Sequence, residues 1–364
     1  MASNFLKTSR IAALFTVLAL AILVCLPMDA EAQFSSRRIK KNNRRISKYK
    51  GTQSFTKQKQ YQRIGFSVNA MNYFGEISPT SSFVSTDIKF TRPGFSIFGS
   101  HRFAPRWSAE AAYSWGTVGG DDFNSADPND DDAVYRYVRN LSFRNRVSEL
   151  SFTVVADLYE NYATYISRVG LTPYAFLGIS VLYHNPQGKV DENSSLAEAG
   201  QWVKLKPLGT EGQHSDFYNN KTYSNVQISI PFGLGVRYRL NQVIDLSFQF
   251  GLRFLFFDYI DDISGGYVDL GALDSDLARA MSDRSMELTS AFNSPRDMIR
   301  VSEVTRIQTY VGVDGNTYTV FNGYGSDLHP DNIRGNKNND DLLLYTQIRI
   351  AYIIGGSFAR AKYR

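Results

Sequence analysis

The chain has 364 residues, 43% hydrophobic and 21% charged, with a net charge of +5 and one cysteine, Cys25. Disulfides, thiol catalysis and cysteine-ligated metal are thereby excluded from everything after residue 25. The positive charge is local: residues 33–63 hold eleven Lys and Arg and no acid, so the chain beyond them is net acidic and carries no basic field over a folded domain.

The first element is a secretory signal over residues 1–32. Lys7 and Arg10 give it a positive start, Ile11 to Leu26 an apolar core, and Ala30-Glu31-Ala32 a cleavage site before Gln33. Cys25 lies between Val24 and Leu26-Pro27, flanks that argue against lipid attachment. Residues 33–60 then read as a basic, disordered tail. Arg37, Arg38, Lys40, Lys41, Arg44, Arg45, Lys48 and Lys50 sit among Ser, Asn and Gln with almost nothing to bury. These eight are candidates for contact with an anionic partner. Export argues against nucleic acid and leaves phospholipid, peptidoglycan or a subunit of a periplasmic machine.

Residues 61–364 are predicted to form one barrel domain. Strands are expected at Ile64–Phe74, Arg92–Phe103, Trp107–Thr117, Ser148–Leu158, Thr172–Tyr183, Val226–Leu240, Ile244–Phe256 and Leu342–Ile354. The sixth and seventh show the pattern best: Ile228, Leu234, Val236, Phe248 and Phe250 alternate with Gln227, Ser229, Arg237, Ser247 and Gln249. Successive side chains of a strand point to opposite faces, so one face is apolar and the other polar. The connections alternate long and short, with tight turns at Ala104-Pro105-Arg106 and Asn241-Gln242-Val243. No stretch approaches eighteen uninterrupted apolar residues after the signal. The reading is an all-β, transmembrane, antiparallel up-and-down barrel of eight strands with lipid outside and a polar lumen. Short turns and both termini then face the periplasm, and long loops the cell exterior. Tyr and Phe, 22 and 25 in number, suit aromatic girdles at the membrane surfaces. The last loop also offers a hairpin in Arg300–Val320, turning at Asp314-Gly315, and a short helix begun by Asp274-Ser275. Were the hairpin part of the wall, the barrel would have ten strands.

The inward positions hold Glu110, Glu149, Asp157 and Asp245 against Arg237, Arg239, Arg253 and Arg349. An eight-stranded barrel is just wide enough for side chains to fill, and buried charges there must pair. The expectation is a closed polar plug with no pore. In the loops, Asp130, Asp131 and Asp132, with Asp121-Asp122 nearby, and Asp261 and Asp262 within Asp258–Asp269 are weak calcium candidates. The first set lacks the glycine and distal glutamate of a calcium loop, so a solvated acidic loop is the plainer reading, and the second, rich in the turn residues Asp and Gly, reads more plainly as turn caps. The histidines are His101, His184, His214 and His329. Ser100 and His101 are adjacent on one strand and point to opposite faces, and no nucleophile, metalloprotease or phosphate-loop motif occurs. Neither an enzyme nor a cofactor is expected.

Several segments carry a resemblance: Asn140-Leu141-Ser142-Phe143-Arg144-Asn145-Arg146, Pro173–Gly178, Pro207-Leu208-Gly209-Thr210-Glu211-Gly212-Gln213, Asp258–Asp269 and Arg334-Gly335-Asn336. Together they resemble the Bacteroidetes outer-membrane β-barrel family that includes PorG of the type IX secretion system. The resemblance implies an accessory barrel in the outer membrane, associated with a periplasmic secretion ring and, in some species, gliding motility, with no catalytic residues. The alternative expectation is a structural or adhesin-like barrel that binds an external ligand through its long loops.

Overall fold

The computed structural model describes residues 55–77, 90–131, 133–329, 332, 334–336 and 341–354. The signal segment, the tail candidates Arg37 to Lys50, and Asp132 lie outside the described residues.

Twelve strands are present among them: β1 Tyr61–Phe74, β2 Arg92–Arg102, β3 Trp107–Asp121, β4 Ser142–Asp157, β5 Leu171–Tyr183, β6 Pro186–Lys189, β7 Trp202–Lys204, β8 Val226–Arg239, β9 Ile244–Leu255, β10 Ile307–Val311, β11 Thr317–Phe321 and β12 Leu342–Ile354. Eight of them form the order β3-β2-β1-β12-β9-β8-β5-β4, and β3 also pairs with β4, which closes the ring. Every pairing is antiparallel, and the closing ladder runs from Trp107↔Ala156 to Asp121↔Ser142. The protein is a closed eight-stranded antiparallel β-barrel. Closure leaves no strand edge to be satisfied, the condition a β-structure must meet in lipid. No described helix is long and apolar enough to cross a membrane.

The period-two pattern sorts the side chains as expected. On β9, Asp245, Ser247, Gln249 and Arg253 are buried inward, whereas Phe248 and Phe250 are about half exposed on the outside. Ile64, Phe66, Ile97, Phe152, Ile179 and Ile348 continue the exposed apolar band around the wall. A band of this extent is far from the scattered apolar residues of a water-facing surface.

One seam of the wall is interrupted. The β5–β8 ladder passes from Leu177↔Phe232 to Ser180↔Ser229 with no pairing at Gly178 and Pro231. Proline has no N–H to donate, and here it stands in a central strand.

The strands differ from the sequence reading mainly at the loop end. β4 starts at Ser142, inside the segment expected to precede it, and β3 continues to Asp121. Phe143 and Asn145 are fully covered there by loops, so the apolar–polar alternation that marks a lipid-facing strand does not apply. The expected hairpin exists as β10 and β11, but as a separate two-stranded sheet, so the barrel has eight strands and not ten. β6 and β7 extend the sheet beyond the barrel alongside β4. Four short helices complete the loop end: α1 Asp122–Ser125, α2 Val134–Arg139, α3 Asp276–Ser282 and α4 Met298–Val304. Ser275 caps α3, its hydroxyl accepting from the Ala278 N–H at 3.1 Å.

The loops after β3, β5 and β9 fold into a cap with apolar clusters of its own. One joins Tyr137, Val138, Tyr267, Val301 and Phe321, and a second joins Val268, Leu270, Leu273, Ala278 and Val320. Where cap and barrel meet, Met71, Phe143, Leu182, Leu255, Ile260 and Leu343 form part of an apolar stopper across the mouth.

Candidate functional site

Below the stopper the lumen is a ladder of ion pairs. Arg349 on β12 meets Glu110 on β3 at 2.5 Å, Arg253 on β9 meets Glu149 on β4 at 3.2 Å, and Arg237 on β8 meets Asp157 at the end of β4 at 3.1 Å. Neutral groups fill the space between. Tyr174 Oη donates to Gln249 Oε1 at 3.0 Å, and Gln249 Nε2 donates to Gln347 Oε1 at 3.0 Å. The residual cavity among these residues is about 20 Å³, room for one or two waters. The lumen is thus filled by side chains.

The balance of four bases against four acids needs correction. Arg239 is only half buried and donates to the Arg168 and Ile166 carbonyl oxygens, not to a carboxylate. Arg63, Arg102 and Arg168 enter instead, all at most 5% exposed. Arg102 shares Asp157 with Arg237 and donates to the carbonyls of Pro105 and Asn161. Arg168 binds Asp245 and donates to the carbonyls of Tyr165, Asn241, Gln242 and Ile244. It thus points inward from the turn after β4 and not out to the periplasm, a direction that strand parity cannot give because a turn has no side-chain period. Arg63 donates to Ser100 Oγ at 2.9 Å. His101 points outward on the same strand, so the two neighbours do lie on opposite faces. The short turns are clamped by arginines that hold backbone carbonyls.

At the loop end four of the five segments quoted for the family resemblance converge; the fifth, Pro173–Gly178, lies on β5 toward the short turns. Glu211, 1% exposed, accepts from the backbone N–H groups of Ser264 and Gly265 at 2.9 and 3.1 Å and from Arg334 Nη1 at 2.8 Å. Arg334 also donates to the Asp262 carbonyl at 2.9 Å. The Asp262 carboxylate accepts from the Thr210 and Tyr223 hydroxyls, both at 2.6 Å. Asn140 adopts a left-handed φ of 56° at the end of α2 and donates to Glu287 Oε2 and the Thr289 carbonyl, both at 3.1 Å. Asn145 donates to the Ile260 carbonyl at 2.7 Å. Motifs far apart in sequence therefore form one hub that ties the loops to each other and to β4.

The acidic loop residues divide. Asp121 and Asp122 are buried, not solvated, and Asp122 takes a bidentate pair of bonds from Arg139 at 2.7 and 2.8 Å. Asp130 and Asp131 are exposed, with Asp131 3.6 Å from Arg300. Asp261 and Asp262 are 1% exposed and spend their oxygens on protein donors. Burial pushes the Asp262 carboxyl up to about 6 against the nearby Arg334 charge, and that of Asp261 up to about 7. His184, stacked on Tyr223 and tilted against Phe257, is pushed down to about 4 by burial.

Residues 50–203 match a family described as a domain of unknown function, DUF6089. No curated protein matches the chain in sequence. Among solved structures the chain is similar to Neisserial surface protein A, at 6% identity and a TM-score of 0.33, covering 80% of this chain and 96% of that one. It is also similar to the outer membrane protein OprG from Pseudomonas aeruginosa, at 9% identity and a TM-score of 0.31 over 84% and 99% of the two chains. A major outer membrane protein from Thermus thermophilus shows 11% identity and a TM-score of 0.34 over 80% and 99%. The ring of paired strands and its apolar girdle identify the fold on their own: it is a transmembrane-type β-barrel with a plugged lumen and a folded cap.

Proposed function

We propose that the protein is a non-enzymatic outer-membrane barrel that belongs to a protein secretion machinery of the type IX kind, with gliding motility in some species, and that it anchors or organises periplasmic subunits. The filled lumen carries the reading. A barrel closed by ion pairs and an apolar stopper acts through its ends, as an anchor, and not as a conduit. Both termini and the arginine-clamped turns face the periplasm in this reading, and lipid covers the exposed girdle. The tail from Arg37 to Lys50 is the partner-binding element, toward ring subunits or peptidoglycan. Deleting residues 36–60 tests it: insertion stays normal while salt-sensitive co-purification with periplasmic partners is lost. Co-purification equal to wild type from 0.1 to 1 M salt, over which the Debye length falls from about 10 to about 3 Å, would reduce the tail to a solvated extension.

A second reading is favoured by the cap, which exposes Phe217, Ile299, Ile307, Val311 and Leu328. It makes the protein an adhesin-like barrel that binds an external ligand. A deletion strain separates the two: loss of secreted proteins supports the first, and loss of adhesion alone supports the second.

A further inference from the structure

Tyr73, near the end of β1, stands between two carboxyl groups. Its Oη lies 2.8 Å from Asp261 Oδ2 and 2.7 Å from Asp341 Oδ1. The remaining oxygens are also taken: Asp261 Oδ1 accepts the Ile263 N–H at 3.0 Å, and Asp341 Oδ2 accepts the Ile260 N–H at 2.8 Å. A tyrosine hydroxyl has one proton and cannot fill both contacts at once. If both carboxyls were ionised, one short contact would set a carboxylate oxygen against a hydroxyl lone pair. A second proton must therefore lie in the chain.

We propose that Asp341, Tyr73 and Asp261 form a protonated latch that holds the cap on the barrel, and that losing its proton releases the loop after β9. Asp341 donates its carboxyl proton to Tyr73 Oη, and Tyr73 donates to Asp261. The three residues come from the start of β12, from β1 and from the cap, so this chain joins the wall where it closes to the loop above it. Removing the proton leaves two carboxylates to share one donor.

The surroundings favour the proton. Glu76, beyond β1, and Asp258, beyond β9, bring their carboxylates to within 4.8 Å of that of Asp341. Asp262 and Glu211 add negative charge from the cap, while the cations nearby, Arg139 and Arg334, are already bound to Asp122 and Glu211. Burial pushes the Asp341 carboxyl well up, with the charges of Asp261 and Glu76 acting in the same direction. Burial, followed by Asp261, pushes Glu76 up to about 9. A group whose folded pKa is raised contributes stability that is fully present below its unfolded value. That stability is lost as pH rises through the folded value, so the cap loosens as pH climbs from about 4 toward the raised values of Asp341 and Glu76.

The test follows hydrogen exchange of residues 258–265 in the full chain, reconstituted in lipid vesicles and corrected for intrinsic base catalysis. The local opening constant should rise about tenfold per pH unit for each proton held only in the closed state. Asp341→Asn, whose amide donates to Tyr73 without a titrating proton, should show a dependence shallower by one proton. Equal slopes in the two proteins would overturn the latch. The wild type also answers alone: an infrared carbonyl band of a protonated carboxyl should persist at pH 7 and vanish as the segment opens. Absence of that band at pH 7 overturns the proposal. So does a segment that stays open at pH 6 in chelator and closes only when calcium is added, because the occupant would then be a cation.

Discussion

Arg253 on β9 reaches across the lumen to Glu149 on β4, Nε to Oε2 at 3.2 Å, and both side chains are almost completely enclosed. The Arg253 guanidinium also lies 3.7 Å from the centre of the Tyr345 ring on β12, so one side chain joins three strands. Glu149→Leu leaves this cation buried without its anion and should cost about 3–5 kcal/mol. Combining it with Arg253→Met should recover most of that loss, because an apolar pair of similar volume can replace a buried ion pair. Urea unfolding of the reconstituted protein measures both.

Phe250 faces outward and Gln249, its neighbour, is buried in the lumen. Phe250→Arg should impair assembly by about 2–4 kcal/mol if it sits near mid-membrane. Gln249→Glu loses the bond to Gln347 but keeps acceptors for Tyr174 and Arg349 and keeps its charge away from lipid, and should be the milder change. Folded yield in outer-membrane fractions compares them, and a reversed order would refute the register.

Glu211→Ala removes an acceptor from Arg334 and from two backbone N–H groups. The cap should lose about 3–5 kcal/mol, while the barrel inserts normally because none of its wall contacts change. Added protease should then cut within 184–225 and 256–341 of the variant much faster than in wild type.

His184 should show the opposite pH dependence to the carboxyl latch. Its folded pKa of about 4 lies below the unfolded value of 6.5, so its contribution is present above 6.5 and lost as pH falls through 4. Acidification between pH 7 and 4 should therefore tighten the cap less in wild type than in His184→Phe, as followed by proteolysis.

The barrel was legible in the sequence because lipid and lumen impose opposite demands on alternate residues, and strands such as β8 and β9 display both. That signal ends where the membrane does. Ser142–Arg146 belongs to β4, yet its side chains face a cap on one side, and no alternation marks it. The lumen pairs on long strands could be read from parity. Arg168 and Arg239 could not, since one lies in a turn and the other is the last residue of β8 and donates to carbonyls of that turn. The cap hub was visible only as quoted motifs. Glu211 and Arg334 are distant in sequence, and each is a lone charge in a polar loop until the fold brings them together.

The position of β12 between β1 and β9 bears on how the molecule is assembled. The wall remains open until this last strand inserts, and the cap segment 256–341 precedes it in the chain. In chain order the loop after β9 thus stands ahead of the strand that completes the ring. Asp341 sits one residue before β12, and its bond to Tyr73 on β1 bridges the seam between the first and twelfth strands. Closing the wall and fastening the cap are one event, so a chain stalled short of that step would display its loop segments unfastened and be open to quality-control proteases.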